Sequence, residues 1–590
     1  MEVALSANVR WERAQEAAPP PAPPPKVFVP KFDIPVLKDY SEEVFPSEYW
    51  DAWPVFPLSE AKVQSWVDVE ALKGLCVKAG IPIDTGLAAE VLHDLEFGAD
   101  IGARGRSRLP TWGKNGKTAF QYGERVQDTL ASFIKKGIYV GPLKMEELEG
   151  WSIKVHPLTV RLKDDGSVRV IVDASYPYVV EPEGVQEDEP ASLNAFINGD
   201  DFPAYMDGLG EFVELLNDQG KGSRIFKADL EAAYKHVPVR KEDWPLQVLA
   251  WGDRLFIDLK LMFGTVSSAG LFDRFNRLMV LLGVRLSGVA KKKIKQYLDD
   301  VFGAEGLGGM HLRAFYDKFR EICAEAGVRM DQSGNPKKGQ PPLPTAVVLG
   351  INFDTLAWSW SLPEARGYDM LKTIGEVFEG KPITLKQRES LAGKLHNFTF
   401  LMPEARTRLA TLFNFCLKKD GCGEDWKLEE YLVSNLKWWQ VAVKVAMAGL
   451  PIPLPEHHVP GNALLVYTDA AGPSLASVGR GVGILLNREE WGFQPWPAWM
   501  SHPGSPTQGQ TSFTHKLSWM EALGPLWALV ALGNRASGRS VLVMVDNIGA
   551  VEGFKKGYCV SCPFVNAMFQ AMRIVAEGLG TRLILQHVSR

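Results

Sequence analysis

The stretch KKKIKQYLDDVFG, residues 291–303, places the adjacent aspartates Asp299 and Asp300 between two runs that favour β-strands. This pattern predicts a strand, a tight turn and a second strand, with both acids at the turn. Two neighbouring carboxylates repel each other, so a divalent cation is a natural partner for them. Alone, the segment YLDD is equally consistent with two acids that merely cap a hairpin.

A further acid stands in a similar setting upstream. FKADLEAAYKHVPV, residues 226–239, places Asp229 at the end of an apolar strand. Phosphoryl transfer with two metal ions needs carboxylates that converge from separate strands, so that both ions can be shared. Asp229 and Asp299 meet this requirement if their strands are neighbours in one sheet.

The patterns DLxxAYxxxPV and YxDD, in this order, resemble the palm of reverse transcriptases over about residues 120–450. The resemblance implies that Asp229 and Asp299 hold two Mg²⁺ ions, with Mn²⁺ as an alternative, and that Asp300 lies beside them. It also implies that the main-chain carbonyl of Leu230 completes one coordination shell. The implied partners are an RNA template, a DNA primer or duplex, and dNTPs.

The resemblance assigns further residues to the incoming nucleotide. Tyr234 falls where the family places an aromatic side chain that packs under the sugar and excludes a 2′-hydroxyl. Phe263 and Gly264 resemble the loop beneath the nucleotide, although Gly270 stands where the family commonly has proline. The alternatives are a core tyrosine and a helix start that glycine interrupts.

Basic residues complete this set. Arg169, in SVRVIVD, matches the arginine of the fingers that grips the triphosphate, a task suited to its bidentate guanidinium, and Lys163 is a second candidate. Lys337 and Lys338 lie where the family positions a lysine that protonates the departing pyrophosphate. Plain surface charge explains these two lysines equally well. A lysine cluster at 291–295 is likewise either a phosphate contact or a solvated turn.

Three acids in the C-terminal part resemble the active site of ribonuclease H. Asp469 ends the strand in VYTDAAG, Glu521 opens a helix in LSWMEALGPLWAL, and Asp546 ends the strand in VLVMVDNIGAV. Two-metal hydrolysis of a phosphodiester requires this type of convergence, and the implied partner is an RNA/DNA hybrid. The family usually adds a fourth acid beyond a strand such as LILQHVSR, and this acid is absent here. Either the domain is truncated at its C-terminal end, or cleavage is reduced while the domain still grips the hybrid.

The resemblance and the order of strands and helices imply an α+β polymerase of the right-hand type followed by an α/β ribonuclease H-like domain. The segment VVLGINFD resembles the primer-grip hairpin, and LAGKLHNF resembles a thumb helix. The expected parts are a disordered proline-rich N-terminus at 1–45, an extension of unassigned role at 46–118, fingers and palm at 119–360, a helical thumb or connection at 361–450, and the ribonuclease H-like domain at 460–590.

Composition sets wider limits. Apolar residues make up 46% of the chain and charged residues 23%, a balance typical of globular proteins. The sequence has neither a signal-peptide pattern nor 18 consecutive uncharged apolar residues, so we expect a soluble intracellular protein of the cytoplasm or nucleus, with no membrane partner. Six cysteines are too few to staple a chain of this length, and the lone CxxC at 559–562 lacks a second ligand pair for zinc.

The sequence therefore indicates an RNA-directed DNA polymerase with a linked ribonuclease H-like domain, from a retrotransposon similar to DIRS-type elements. One alternative is a domesticated or decayed relative that binds nucleic acid without polymerising. Another is an RNA-dependent RNA polymerase, which Tyr234 and the C-terminal domain disfavour. Template choice, oligomeric state and the role of residues 1–110 stay open at this stage.

Overall fold

The helices and strands come from a computed structural model. It describes residues 47–590 except for 105–109, 163–167, 179–190, 332–334, 336–337, 380–384, 403–404, 407, 410–429, 454–459, 472–480, 496–512, 558–562 and 589–590. The predictions for the proline-rich N-terminus, Lys163, Lys337 and the CxxC pair lie outside the described residues.

The helices in the described part are α1 (Ser47–Asp51), α2 (Val69–Lys78), α3 (Gly86–Phe97), α4 (Lys117–Gln121), α5 (Gly123–Lys135), α6 (Leu209–Gln219), α7 (Ser268–Ser287), α8 (His311–Glu325), α9 (Glu364–Phe378), α10 (Leu385–Phe398), α11 (Glu430–Ala448), α12 (Phe513–Leu532), α13 (Ile548–Lys556) and α14 (Pro563–Gly578). None of the described helices is long and apolar enough to cross a membrane.

The strands are β1 (Thr111–Trp112), β2 (Tyr139–Leu143), β3 (Lys154–His156), β4 (Leu158–Leu162), β5 (Val168–Val172), β6 (Arg224–Asp229), β7 (Val248–Trp251), β8 (Arg254–Asp258), β9 (Ile294–Tyr297), β10 (Asp300–Glu305), β11 (Gln340–Leu343), β12 (Thr345–Val348), β13 (Ile351–Asp354), β14 (Ser359–Ser361), β15 (Leu450–Pro451), β16 (Leu464–Ala471), β17 (Gly481–Leu486), β18 (Glu490–Pro495), β19 (Ser540–Val545) and β20 (Arg582–His587). The protein is therefore of mixed α and β structure.

The chain forms two compact units, each built from three separate segments of the sequence. Unit 1 comprises Met1–Tyr205, Ala232–Leu278 and Ala324–Val328. Unit 2 comprises Met206–Glu231, Met279–Cys323 and Arg329–Arg590.

Unit 1 contains a mixed sheet in the order β1-β3-β7-β8-β2 and a separate β4–β5 hairpin. The segment ERVQDTLASFIKKG, residues 124–137, ends in Lys-Lys-Gly and predicts a helix. It forms α5, which buries Val126, Leu130 and Ile134 at four-residue spacing, so that one apolar stripe faces the interior. The β-rich segments WSIKVHPLTVRL and SVRVIVDAS flank the turn residues KDDG, a pattern that predicts a hairpin. Strands β4 and β5 form it, with Leu158 opposite Val172 and Leu162 opposite Val168. The first of these two segments does not form one continuous strand, however. Its β3 part pairs with β1 and β7, and only β4 joins the hairpin.

Unit 2 contains a four-stranded sheet in the order β11-β6-β10-β9. Alternation along β6 places Phe226 on one face, where it packs against Phe315 of α8, with ring centroids 5.3 Å apart. The other face is covered by α6, whose Phe212 ring lies 5.3 Å from Phe302 of β10. Helices thus cover both faces of this sheet, which explains why β6 is buried along nearly its whole length.

The segment resembling a primer grip forms the antiparallel β12–β13 hairpin, within the sheet β12-β13-β14-β15. Helices α9, α10 and α11 share one hydrophobic core with this sheet; Trp439 of α11 is fully buried there and lies 5.6 Å from Phe398. The predicted helical character of LAGKLHNF is confirmed by α10.

The C-terminal sheet runs in the order β18-β17-β16-β19-β20. Strand β16 pairs antiparallel with β17 and parallel with β19. Helices α12 and α14 bury their apolar residues against Val541, Val543 and Val545 of β19, which alternate toward one face.

Candidate active site

The predicted turn with two acids is formed by β9, the residues Leu298 and Asp299, and β10, which begins at Asp300. Leu298 has a φ of 50°, in the left-handed region that residues with a Cβ rarely adopt. The reversal is therefore tight, and it places both aspartates at the end of the sheet.

Strands β6 and β10 bring the upstream acid to this turn. Asp300 is the direct antiparallel partner of Asp229, and the amide of Leu230 donates to the carbonyl of Asp299 over 3.4 Å. The segment after Asp229 is held from its other side as well, because Asp331 donates its amide to the Asp229 carbonyl over 3.0 Å. Main-chain pairing thus fixes the relation of the three acids.

Two lysines face these carboxylates. Lys338 Nζ lies 2.8 Å from Asp229 Oδ2, and Lys227 Nζ lies 3.1 Å from Asp300 Oδ1. Lys227 and Asp229 are two residues apart on β6 and point to the same face, so Lys227 is the diagonal neighbour of Asp300. The structure thus pairs two of the three predicted acids with ammonium groups.

Burial dominates the electrostatics of the acids. Loss of hydration raises the pKa of Asp229, against which the ion pair with Lys338 acts, while the nearby Asp300 raises it further. Burial and the charge of Asp229 raise the pKa of Asp299, and burial raises that of Asp300 despite Lys227. The surroundings of the three acids therefore disfavour unpaired negative charge and favour the binding of a cation.

Burial lowers the pKa of Lys338, but its ion pair with Asp229 outweighs that effect and leaves the pKa above its ordinary value. Lys338 is therefore charged at neutral pH. The sequence placed it near the acids only through the resemblance, whereas the structure puts its ammonium in contact with one of them.

The donor set consists of carboxylate oxygens, which Mg²⁺ prefers in proteins. In the part of the chain that is described, no three His, Cys, Asp or Glu side chains are gathered as ligands of one ion. Leu230, the predicted carbonyl ligand, is buried beside them.

A second group of predicted residues lies within unit 1. The ring of Tyr234 is 4.7 Å from that of Phe263, at 33° between planes, and 5.6 Å from that of Phe272. Gly264 has a φ of 97°, and a Cβ there would lie 2.6 Å from the Val172 carbonyl, so only glycine fits. The structure therefore unites Tyr234, Phe263 and Gly264 around one loop.

Two side chains hold this loop, and one of them, Asn194, carries no signal in the sequence. Asn194 Nδ2 donates to the Gly264 carbonyl over 2.8 Å, and Ser268 Oγ donates to the Met262 carbonyl over 2.8 Å. Asn194 is distant in sequence, so only the folded chain reveals its part.

Arg169 is exposed on β5, directly opposite the exposed Arg161 of β4. Like charges in this position repel each other, and an anion bound between them would relieve the repulsion. Arg161 was missed, although the alternation of the hairpin placed it within reach of prediction.

The backbone positions of two predicted acids of the C-terminal sheet are close to each other. Asp469 of β16 and Asp546, just after β19, follow the parallel partners Thr468 and Val545. Glu521 lies within α12 rather than at its start, because the helix already begins at Phe513; this corrects the prediction that Glu521 opens the helix. A Cβ on Gly524 would lie 2.9 Å from Thr468, so α12 passes beside the Asp469 strand.

No family model and no curated protein matches the chain. It is similar to a solved structure of the foamy viral protease-reverse transcriptase dRH in complex with double-stranded DNA, at 15% identity and a TM-score of 0.44, over 91% of this chain and 85% of that one. A second structure, of the foamy viral enzyme with RNA/DNA hybrid, gives 14% identity and a TM-score of 0.42 over 90% and 85%. Likeness at this level leaves the family of the chain open.

Proposed function

We propose that the chain is an RNA-directed DNA polymerase, a nucleotidyltransferase that extends a DNA primer on an RNA template. The observation that carries this proposal is the main-chain pairing that sets Asp229 opposite Asp300, with Asp299 bonded to the next residue. A buried and two partly buried carboxylates that meet at the end of one sheet are the donor set that phosphoryl transfer with two cations requires.

Asp229, Asp299 and the Leu230 carbonyl would hold two Mg²⁺ or Mn²⁺ ions, with Asp300 alongside. When bound, the cations would lower the pKa of the primer hydroxyl and neutralise charge on the phosphates. Lys338 is the proposed proton donor to pyrophosphate from Nζ, which its raised pKa keeps charged at neutral pH.

Within unit 1, Tyr234 and Phe263 are the proposed contacts for the sugar of the incoming dNTP. Tyr234 would exclude a 2′-hydroxyl, and the left-handed backbone at Gly264 lets the loop carry Phe263 without a clash. Arg169 is proposed to bind the triphosphate. Lys163, proposed for the same task, lies outside the described residues.

The polymerase part is proposed to have the right-hand architecture of fingers, palm and thumb. The sequence motifs support an origin in a retrotransposon similar to DIRS-type elements. For the C-terminal sheet we propose a ribonuclease H-like role on RNA/DNA hybrid, with Asp469, Glu521 and Asp546 as candidate metal ligands. Parallel pairing of β16 and β19 supports the closeness of two of these acids.

One observation favours a second candidate, a non-catalytic relative that only binds nucleic acid. Lys338 and Lys227 already pair with Asp229 and Asp300, as they would in a site that no longer takes a cation. The two candidates differ in whether bound nucleic acid is extended.

Primer extension on an RNA template with Mg²⁺ and dNTPs tests the proposal. We expect extension by the wild-type chain, and a loss of about a thousandfold or more for D299N/D300N, because several kcal/mol of electrostatic stabilisation would disappear. The matched control is D200N/D201N, which neutralises an adjacent, exposed aspartate pair in unit 1.

Equal extension by wild type and D299N/D300N would refute the catalytic role of these acids. Template binding without any extension by the wild-type chain would favour the non-catalytic candidate. Preference for ribonucleotides over deoxynucleotides would point instead to an RNA polymerase.

A further inference from the structure

Lys235, next to the proposed sugar contact Tyr234, carries its charge in the interior of unit 1. Its side chain is 2% exposed, and its ammonium forms an ion pair with Asp258, whose side chain is fully buried. A buried charge is costly to desolvate, and such a pair often stabilises no more than apolar residues of similar volume would. The pair therefore calls for an explanation beyond stability.

The contacts of the ammonium lead to the loop that carries Phe263. Lys235 Nζ donates to the Leu261 carbonyl over 3.0 Å, two residues before Phe263. The same ammonium lies 5.7 Å from the centroid of the Phe263 ring, within the range of a cation–π interaction. Lys235 thus binds both the backbone of the loop and the aromatic side chain at its end.

Asp258 fixes the position of the Lys235 ammonium. Its Oδ1 accepts the backbone amide of Lys260 over 3.0 Å, while Oδ2 takes the ion pair with Lys235. Both carboxylate oxygens are thereby engaged, and Asp258 has Tyr139 as its partner across the sheet. The carboxylate is a rigid anchor because it sits at the end of β8.

The consequence falls on the Tyr234–Phe263 pair. Phe263 is 42% exposed, so its ring is not fixed by burial alone. The ring of Tyr234 lies against it, with centroids 4.7 Å apart, so a displaced Phe263 would change the packing of Tyr234. Discrimination against a single hydroxyl group depends on a steric clash, so it is sensitive to small shifts of the side chain that excludes the hydroxyl.

We propose that Lys235, anchored by Asp258, is a positioning residue that sets sugar discrimination by holding Phe263 against Tyr234. This inference rests on the proposed function of Tyr234 as a contact of the incoming sugar. Lys235 would touch neither nucleotide nor cation; it would act through the loop and the Phe263 ring.

The test compares kcat/KM for a dNTP and for the matching rNTP in primer extension. The variant K235M/D258N removes both charges and keeps an oxygen for the Lys260 amide, which avoids an unpaired buried charge. We expect selectivity for the dNTP to fall about tenfold, on the scale of a lost cation–π contact and hydrogen bond, while dNTP incorporation changes less. Y234V should lose selectivity at least as far.

The matched control is K154M. Lys154 is also a buried lysine of unit 1, donates to the Ala191 carbonyl over 2.8 Å and lies over the Phe196 ring at 5.3 Å. A loss of selectivity in K235M/D258N but not in K154M would support the proposal, since a general loosening of unit 1 would affect both.

Unchanged selectivity in K235M/D258N, with Y234V impaired, would overturn the role of Lys235 and leave the polymerase proposal intact. Equal loss in K154M would overturn it too. Absence of extension by the wild-type chain would instead refute the proposed function itself. If K235M/D258N does not fold, K235Q/D258N, which is also neutral but keeps hydrogen-bonding groups at both buried positions, is measured in the same assay with the same two outcomes.

Discussion

At the scale of single residues, the pairing of lysines with acids in unit 2 has a measurable effect on cation binding. Lys227 competes with any cation for Asp300, since its ammonium already lies 3.1 Å from Oδ1. We expect K227M to bind Mn²⁺ several-fold more tightly than wild type in the absence of nucleic acid, as followed by electron paramagnetic resonance.

The control for this measurement is K221M, which removes an exposed lysine in the same unit. Weaker or unchanged Mn²⁺ binding by K227M would contradict competition and would mean that Lys227 serves only to hold the carboxylate in place. Lys227 could be suspected from sequence, because a lysine two residues before Asp229 must share its face of the strand.

Gly264 gives a second prediction at this scale. G264A forces a Cβ into a backbone conformation that disfavours it and to within 2.6 Å of the Val172 carbonyl. We expect a loss of roughly 1–3 kcal/mol in the free energy of unfolding, by thermal or denaturant melting, together with reduced primer extension.

G288A is the matched control, because Gly288 also has a positive φ, of 71°, but open space where a Cβ would be. It carries the conformational strain without the clash. Equal destabilisation by both substitutions would show that the Val172 contact contributes nothing.

At the scale of elements, the edge of β9 is protected by a short segment that the sequence did not reveal. Asp207 accepts the amide of Gln296 over 2.9 Å, donates its own amide to the Gln296 carbonyl over 2.7 Å and lies 3.3 Å from Lys295. One residue therefore caps both main-chain groups of Gln296 on the strand that leads to the acidic turn.

We expect D207A to open this edge, with hydrogen exchange at the Gln296 amide accelerated about tenfold, the effect of losing roughly one hydrogen bond. D207N retains a carbonyl oxygen for the amide and should exchange nearly as slowly as wild type. Fast exchange in both variants would assign the protection to the charge of Asp207 rather than to its acceptor oxygen.

The elements themselves were partly predictable. The strand–turn–strand around YLDD, helix α5 and the β4–β5 hairpin follow from local periodicity and turn residues, which the sequence displays directly. The division of β3 from β4 and the early start of α12 were not predicted, because each depends on partners elsewhere in the fold.

The same distinction holds for the candidate site. Asp229 and Asp300 are identifiable as acids at strand ends, whereas Asn194, Asp207 and Asp258 acquire their parts only through contacts with residues far along the chain. A polar residue in a loop gives no local sign of the carbonyl or amide that it will bind.

At the scale of the whole molecule, a buried histidine makes stability depend on pH. His156 is fully buried in unit 1, its Nε2 lies 2.7 Å from the Leu246 carbonyl, and burial lowers its pKa from 6.5 to about 4. Between these values the unfolded chain binds more protons than the folded chain. The contribution of His156 to stability is therefore present above pH 6.5 and is lost as the pH falls toward 4.

As the pH falls from 6.5 toward 4, we expect the free energy of unfolding of wild type to decrease faster than that of H156Q, by up to about 1.4 kcal/mol per pH unit. The control is V155A, which truncates the neighbouring buried Val155. It should lower the free energy of unfolding by on the order of 2 kcal/mol at every pH without altering the dependence on pH. Parallel pH profiles for wild type and H156Q would rule out the histidine as the source.

The pairing of β6 with β10 also determines how the acidic site can fail. Side chains alternate between faces along a strand, so a slip of one position would set Val301 instead of Asp300 against Asp229 and turn the acid toward the opposite helix layer. Most of the ladder would re-form after such a slip, yet the carboxylates would no longer share a face. The same slip would turn Phe302 away from Phe212, so inserting or deleting one residue at the reversal near Leu298 should impair folding as well as primer extension.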